Sequence, residues 1–175
     1  MHDPDAEAEA IIQEIYEAFR GVPRGEITLH EALVIDEYGT AEEMVEARKR
    51  DTDERWEEVP DEHVQYGSDA LAYFDPVSWR YYIPRFMIWM LINFRTDDTL
   101  TSEIIIYSFD PCTGPDSSDF MDIKLKRFDL LSAEQSVVVC RFLRYMVKCS
   151  GDDEDVDALR ALRDYWGRFC PESAG

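Results

Sequence analysis

The feature that most constrains this fold is a run of seven consecutive apolar residues, Phe86–Ile92. A segment that is hydrophobic on every side must be buried on every side, so it belongs inside the core. The run is too short to cross a bilayer, which takes about 20 residues in a helix. Asp75-Pro76 supplies a helix start upstream, and Pro84 is expected in the first turn. The sequence therefore predicts a central buried helix.

Further helices are predicted from their capping signals. Asp3 followed by Pro4 opens the first helix, which Gly21 ends. An N-cap residue with Glu or Gln three positions later starts three more helices. These pairs are Thr28 with Glu31, Thr40 with Glu43, and Ser132 with Gln135. A last helix is predicted over 153–169, with one apolar face made of Val156, Leu159, Leu162, Tyr165 and Trp166.

Two segments of the second half are less regular. Ile104–Tyr107 is rich in β-branched residues and fits a short strand or a helical turn equally. Asp110–Asp122 carries Pro, Gly, Ser and Asp in turn-forming combinations, so it is predicted to be a loop. We expect an all-α protein: a single compact acidic domain over residues 1–175, with about six or seven helices and at most a minor strand.

The cysteine pattern predicts no covalent cross-link. Cys112, Cys140, Cys149 and Cys170 form no CxxC pair. A chain of 175 residues can build a sufficient apolar core without disulfides or metals. The four thiols are therefore expected to be reduced and mostly buried.

One stretch resembles a known family. The pattern begins with Tyr82-Ile83-Pro84-Arg85-Phe86-Met87. It continues in Arg127–Gln135, where Phe128, Leu130, Leu131, Glu134 and Gln135 belong to it, and ends with Phe142-Leu143. This pattern, over about Leu71 to Tyr145, resembles an uncharacterised bacterial family of small proteins catalogued as a domain of unknown function. The resemblance implies a mostly helical fold and a bacterial origin, and it transfers no activity and no site residue.

Motifs for catalysis and for metal or cofactor binding are absent. His2, His30 and His63 lie far apart, and His30-Glu31 is followed by Val34 where the HExxH zinc motif needs its second histidine. The glycines form neither of the common phosphate-binding loops, and no nucleophile signature is present. The sequence predicts no enzyme, no cofactor and no metal site.

Charge is the property that departs furthest from an ordinary domain. The chain has 38 acidic and 18 basic residues, a net charge of −20. So negative a surface repels phosphates, and nucleic acid and anionic membranes are therefore not expected as partners. The N-terminal residues lack a basic segment followed by an apolar one, and no apolar run approaches a membrane span. We therefore expect a cytoplasmic protein.

The charge is unevenly distributed. Asp36–Glu62 contains 12 acidic and 4 basic residues, whereas Ile123–Lys148 contains 6 basic and 2 acidic residues and is suited to internal neutralisation. Part of the acidic segment, with Trp56 as an aromatic anchor, is predicted to bind a partner. Its candidate residues are Glu42, Glu43, Glu46, Asp51, Asp53, Glu54, Trp56, Glu57, Glu58, Asp61 and Glu62.

These observations favour an acidic protein-binding module. The specific hypothesis is an immunity protein or antitoxin that neutralises a basic toxin or effector by direct contact; the oligomeric state is left open. The alternative is a small enzyme or regulator with a pocket near Trp56, Tyr66 and Trp79. Acidic segments that only keep a protein soluble would look the same in sequence.

Overall fold

The computed structural model of the chain describes residues 4–115, 118–151 and 156–171. It is 69% helical, and the described residues form nine α-helices and no strand. The predicted all-α class is confirmed. The helices are more numerous than expected because a short helix over Asp61–Tyr66 was not predicted and a further helix begins at Ser118, inside the predicted loop.

The helices follow one another through short connections. In chain order they are α1 (Ala6–Ala18), α2 (Leu29–Asp36), α3 (Ala41–Arg48), α4 (Asp61–Tyr66), α5 (Pro76–Asn93), α6 (Thr101–Ser108), α7 (Ser118–Asp129), α8 (Ala133–Ser150) and α9 (Val156–Asp164). Three short 3-10 turns lie at Trp56–Glu58, Ser68–Ala72 and Trp166–Phe169.

The three predicted capping pairs lie at the starts of α2, α3 and α8. Both reciprocal hydrogen bonds form at α3 and α8, whereas at α2 the box rests on the Glu31 carboxylate, which accepts from the Thr28 amide at 2.8 Å. At α3, the Glu43 carboxylate accepts a hydrogen bond from the Thr40 amide at 2.7 Å, and the Thr40 hydroxyl accepts one from the Glu43 amide at 3.2 Å. At α1 the N-cap is Asp5, whose carboxylate accepts from the Ala8 amide at 2.9 Å. The predicted start at Asp3 lies outside the described residues.

Helix α5 is the centre of the core, as the apolar run predicted. It packs against α1, α4, α6 and α7. Phe86, Trp89 and Met90 are all buried. Pro76 occupies the first turn, whereas Pro84 lies in the middle of the helix, so its predicted place in the first turn was wrong. Proline at a mid-helix position removes one backbone hydrogen bond, which tertiary packing on every side offsets here.

The two less regular segments have different outcomes. Ile104–Tyr107 lies inside α6 and not in a strand. The loop predicted over Asp110–Asp122 holds for 110–115 but fails from Ser118, where α7 begins; residues 116 and 117 lie outside the described part.

The apolar face predicted for the last helix was wrong for Val156 and Leu159, whereas Tyr165 and Trp166 are buried and Leu162 packs partly buried against the core, as predicted. Val156 and Leu159 of α9 are 57% and 39% exposed, whereas Ala158 and Ala161 are fully buried. Small side chains on the inner face let α9 lie close against α8, so Val156 and Leu159 point outward. The buried aromatic residue Trp166 follows in the next 3-10 turn.

Cys140 of α8 and Cys170 form a disulfide, so the prediction of four reduced thiols was wrong for this pair. Their Cα atoms are 5.5 Å apart, within the normal range for such a bond. The C-terminal turn folds back onto α8 and brings together two residues 30 positions apart. Cys112 and Cys149, both half-buried, lie outside this bond.

Basic residues of the segment Ile123–Lys148 form ion pairs and hydrogen bonds within the molecule, as its composition suggested. Arg141 and Lys148 of α8 pair with Glu14 and Glu7 of α1. Arg127 is buried and donates hydrogen bonds to the carbonyl oxygens of Ala72 and Phe74 at 2.7–2.9 Å. Burial lowers the pKa of Arg127 to about 10, so it remains a cation at neutral pH.

Candidate functional site

The structure separates the predicted partner-binding residues into two groups. Eight lie at the surface, where seven are exposed and Glu57 is half-buried. They are Glu42, Glu43, Glu46, Glu54, Glu57, Glu58, Asp61 and Glu62. The other three, Asp51, Asp53 and Trp56, are between 1% and 6% exposed. These three side chains therefore act inside the folded chain, and we remove them from the candidate surface.

Trp56 is a core residue and not an exposed anchor. Its ring stacks on Tyr16 with the ring centroids 5.4 Å apart, and its indole nitrogen donates to the Phe19 carbonyl oxygen at 2.9 Å. Both contacts tie the 3-10 turn at Trp56–Glu58 to α1. A side chain already satisfied in this way is not available to fill a pocket on a partner.

Asp53 organises the segment between α3 and α4. Its carboxylate accepts a hydrogen bond from the Tyr81 hydroxyl at 2.7 Å. Burial, together with this hydrogen bond to a carboxylate, raises the pKa of Tyr81. Arg24 donates to the backbone carbonyls of Asp51 and Asp53 at 2.9 and 2.7 Å. The segment is thereby held against α5 from its inner side.

Asp51 lies in a cluster with two histidines. One ligand-capable atom from each of His30, Asp51 and His63 lies within 4.8 Å of the other two. Asp51 accepts hydrogen bonds from the His30 amide at 2.9 Å and pairs with His30 Nδ1 at 2.6 Å. The two imidazole rings meet edge-on with centroids 4.6 Å apart.

The surroundings favour an ionised aspartate and a neutral His63. Burial raises the pKa of Asp51, but the hydrogen bonds from His30 and its neighbours outweigh it, so the pKa lies below its usual value. Burial and the nearby His30 lower the pKa of His63. An ionised carboxylate beside a neutral imidazole is the protonation pattern that metal ligands need.

The outer side of this region is formed by α3, which buries none of its side chains. Glu42 and Glu46 are exposed on it, and Val45 is 61% exposed. The helix is held by its capping box, by packing on α2, and by Arg48, which donates to the Glu26 carbonyl oxygen and pairs with Glu31. Its remaining surface faces solvent.

Some of the exposed acids have structural roles. Glu43 completes the α3 capping box. Glu58 accepts hydrogen bonds from the amides of Glu54 and Arg55 at 2.9 and 3.2 Å, and these bonds lower its pKa. Asp61 pairs with Arg85 of α5. Glu42, Glu54, Glu57 and Glu62, in contrast, form no ion pair within the described part of the chain.

The alternative pocket near Trp56, Tyr66 and Trp79 is not formed as predicted. Trp79 is fully buried, with Phe109 and Phe128 around it at centroid distances of 5.6 and 5.5 Å. Tyr66, 71% exposed, lines a cavity together with His30 and His63, and neither tryptophan lines that cavity.

Sequence reasoning missed the His30–Asp51–His63 cluster because no local motif encodes it. Its members come from α2, from the segment after α3, and from α4, at sequence separations of 21 and 12 positions. Only the fold brings them together. Asp51 was selected from the sequence, but as an exposed partner-binding acid.

Within the described residues no helix is both long and apolar enough to traverse a lipid bilayer. The fold and its surface define an all-helical acidic protein with one exposed acidic face and one buried His–Asp–His cluster. The chain belongs to the family of unknown function DUF6714, whose model matches residues 7–169. No curated protein and no solved structure matches the chain.

Proposed function

We propose that this protein is an acidic binding module that neutralises a basic toxin or effector by direct contact, as an immunity protein or antitoxin does. In this proposal it acts in the bacterial cytoplasm and performs no catalysis. The observation that carries the proposal is the surface of α3 and the segment after it, which exposes acids that no basic residue of the described chain neutralises.

The exposed aromatic residues around α2 support the proposal. Tyr38 is 96% exposed at the turn between α2 and α3, and Tyr66 of α4 is 71% exposed. Tyr73 lies near Tyr38 and forms a hydrogen bond with Asp36, which raises the pKa of Tyr73. Tyrosines are frequent anchors at protein interfaces, and acids around them select a basic partner. The exposed tyrosines replace Trp56 as the aromatic anchors of the binding hypothesis.

The test is association kinetics with charge-reversed variants. Candidate partners are recovered by cross-linking in the native host, and the purified basic partner is then measured against Glu42→Lys, Glu54→Lys and the double variant. We expect the double variant to lower the association rate constant by roughly 10-fold at low salt, because exposed charges steer encounter. The difference should shrink above about 0.1 M salt, where the Debye length falls to about 10 Å.

Matched controls come from α1. Glu9→Lys and Glu17→Lys change the same charges at exposed positions of α1 that form no ion pair among the described residues. They should change the association rate much less than the α3 variants do. An acidic partner, or equal effects of both pairs of variants, would contradict the proposal. Glu58 is unsuitable for reversal because it also holds the local backbone.

A further inference from the structure

The His30–Asp51–His63 cluster is built on three separate elements that the fold holds in place. His30 is 6% exposed on α2, and its ring is fixed by the 2.6 Å contact with Asp51. The Asp51 side chain is 1% exposed. His63 projects from the short helix α4 and is half-buried. Two of the three ligand residues are therefore positioned before any ion arrives.

One nitrogen of the cluster has no partner. His63 Nδ1 is buried and forms no hydrogen bond within the described part of the chain. A buried polar atom without a partner destabilises a fold by about 1–3 kcal/mol, so such atoms in native proteins have a reason. An imidazole nitrogen without a hydrogen-bond partner, in a residue of which one ligand-capable atom comes within 4.8 Å of a buried carboxylate, is an arrangement that a bound cation satisfies.

A cavity of about 130 Å³ opens at the cluster. His30 and His63 line it, together with Glu62, Tyr66 and Arg50. It has room for a metal-bound water, which occupies about 30 Å³ in the liquid. The positive charge of Arg50 repels a bound cation, but the two negative charges of Asp51 and Glu62 outweigh this repulsion.

We propose that His30, Asp51 and His63 bind one divalent transition-metal ion, with Zn²⁺ as the best match, and leave a fourth position to water from the cavity. Two imidazoles and one carboxylate are the ligand types of open zinc sites, and the imidazoles disfavour Mg²⁺ and Ca²⁺. Zinc ligands at about 2.0–2.1 Å from the metal lie roughly 3.3 Å from one another. Metal binding through His30 Nδ1 and Asp51 would replace their 2.6 Å hydrogen bond by two bonds to the metal and release the shared proton to solvent. His63, the most exposed of the three, would adjust to complete the site.

The proposed metal site and the proposed partner surface share Glu62 and Tyr66, which line the cavity. None of the acids proposed to meet the partner is a metal ligand, however, so either proposal can fail alone. The alternative for the cluster is a hydrogen-bonded His–Asp pair with a second histidine packed beside it. That alternative predicts no selective metal affinity.

The test is a Zn²⁺ titration of the full chain, freed of metal by chelation and followed by calorimetry. We expect one Zn²⁺ per chain, bound with a micromolar or lower dissociation constant, and a melting temperature that rises with Zn²⁺ concentration. His63→Ala should weaken Zn²⁺ binding by at least about 100-fold, because it removes one of three protein ligands. Its metal-free melting temperature should stay near that of the wild type, because His63 Nδ1 makes no hydrogen bond.

Two further variants keep the result decisive. His63→Gln fills similar space and should also lose Zn²⁺, which covers the case in which the alanine variant misfolds. His2→Ala removes the remaining histidine of the chain and should leave binding unchanged. The proposal is overturned if the wild type binds no Zn²⁺ at about 100 µM, if the two His63 variants bind as tightly as the wild type, or if His2→Ala abolishes binding. Substitution of Co²⁺ for Zn²⁺ should give the visible absorption of a four-coordinate site in the wild type and in His2→Ala, and in neither His63 variant.

Discussion

Replacing Trp56 with alanine is expected to lower the free energy of unfolding by about 3–5 kcal/mol, the range for truncating a buried tryptophan. The side chain is 1% exposed and stacks on Tyr16. Its indole N–H donates to the Phe19 carbonyl oxygen, which loses its partner in the variant. The truncation therefore leaves a cavity and an unsatisfied acceptor between α1 and the segment that follows α3. Urea denaturation of the two proteins measures the difference.

Tyr66→Ala is the matched control for this experiment. It removes an aromatic ring of similar size ten positions along the chain, but from a side chain that is 71% exposed. A surface truncation of this kind changes stability by about 0.5 kcal/mol or less. If Trp56→Ala were equally neutral, the indole would not be part of the core, and its predicted role as an anchor for a partner would stand again.

The starts of several helices and the central helix could be predicted from the sequence. Local signals were sufficient for the helix starts: capping boxes depend on side chains three residues apart, and the three helices begin where predicted. The apolar run Phe86–Ile92 was sufficient to predict the central helix, because a segment without a polar face is stable only in the core. Neither inference requires knowledge of any distant contact.

Burial of single residues in a polar segment could not be predicted in the same way. Trp56, Asp51 and Asp53 stand among exposed acids in the sequence, and nothing local distinguishes them from Glu54 or Glu57. Their partners lie far along the chain: Phe19 for Trp56, His30 for Asp51 and Tyr81 for Asp53. A site assembled from such pairs becomes visible only after the fold has brought the elements together.

The prediction of which residues of the last helix are buried failed in part for a related reason. The large apolar residues of this helix suggested one face, but the neighbouring helix α8 favours the small residues Ala158 and Ala161 at the contact. The same close packing of the C-terminal turn on α8 brings Cys140 and Cys170 within bonding distance. Both the exposure of Val156 and Leu159 and the position of the disulfide depend on how the C-terminal elements pack on α8, which no spacing of residues in the sequence reveals.

Reduction of the Cys140–Cys170 disulfide is expected to lower the free energy of unfolding by about 3–4 kcal/mol, because the bond closes a loop of 30 residues in the unfolded chain. Denaturant melts of the oxidised and the reduced wild type measure the change. The double variant Cys140→Ala/Cys170→Ala should match the reduced protein closely and show no further response to reductant.

Cys149→Ala provides the control, because Cys149 lies on the same helix as Cys140 but outside the bond. It should keep the full response to reductant. Equal melts of oxidised and reduced wild type, or four thiols alkylated in the unreduced denatured protein, would show that the bond does not form. The same alkylation assay on protein taken directly from cells also tests the proposed cytoplasmic location: cytoplasmic thiols are kept reduced, whereas disulfides persist in oxidising compartments. A protein that acts in the cytoplasm should therefore be recovered there mainly in its reduced, less stable form.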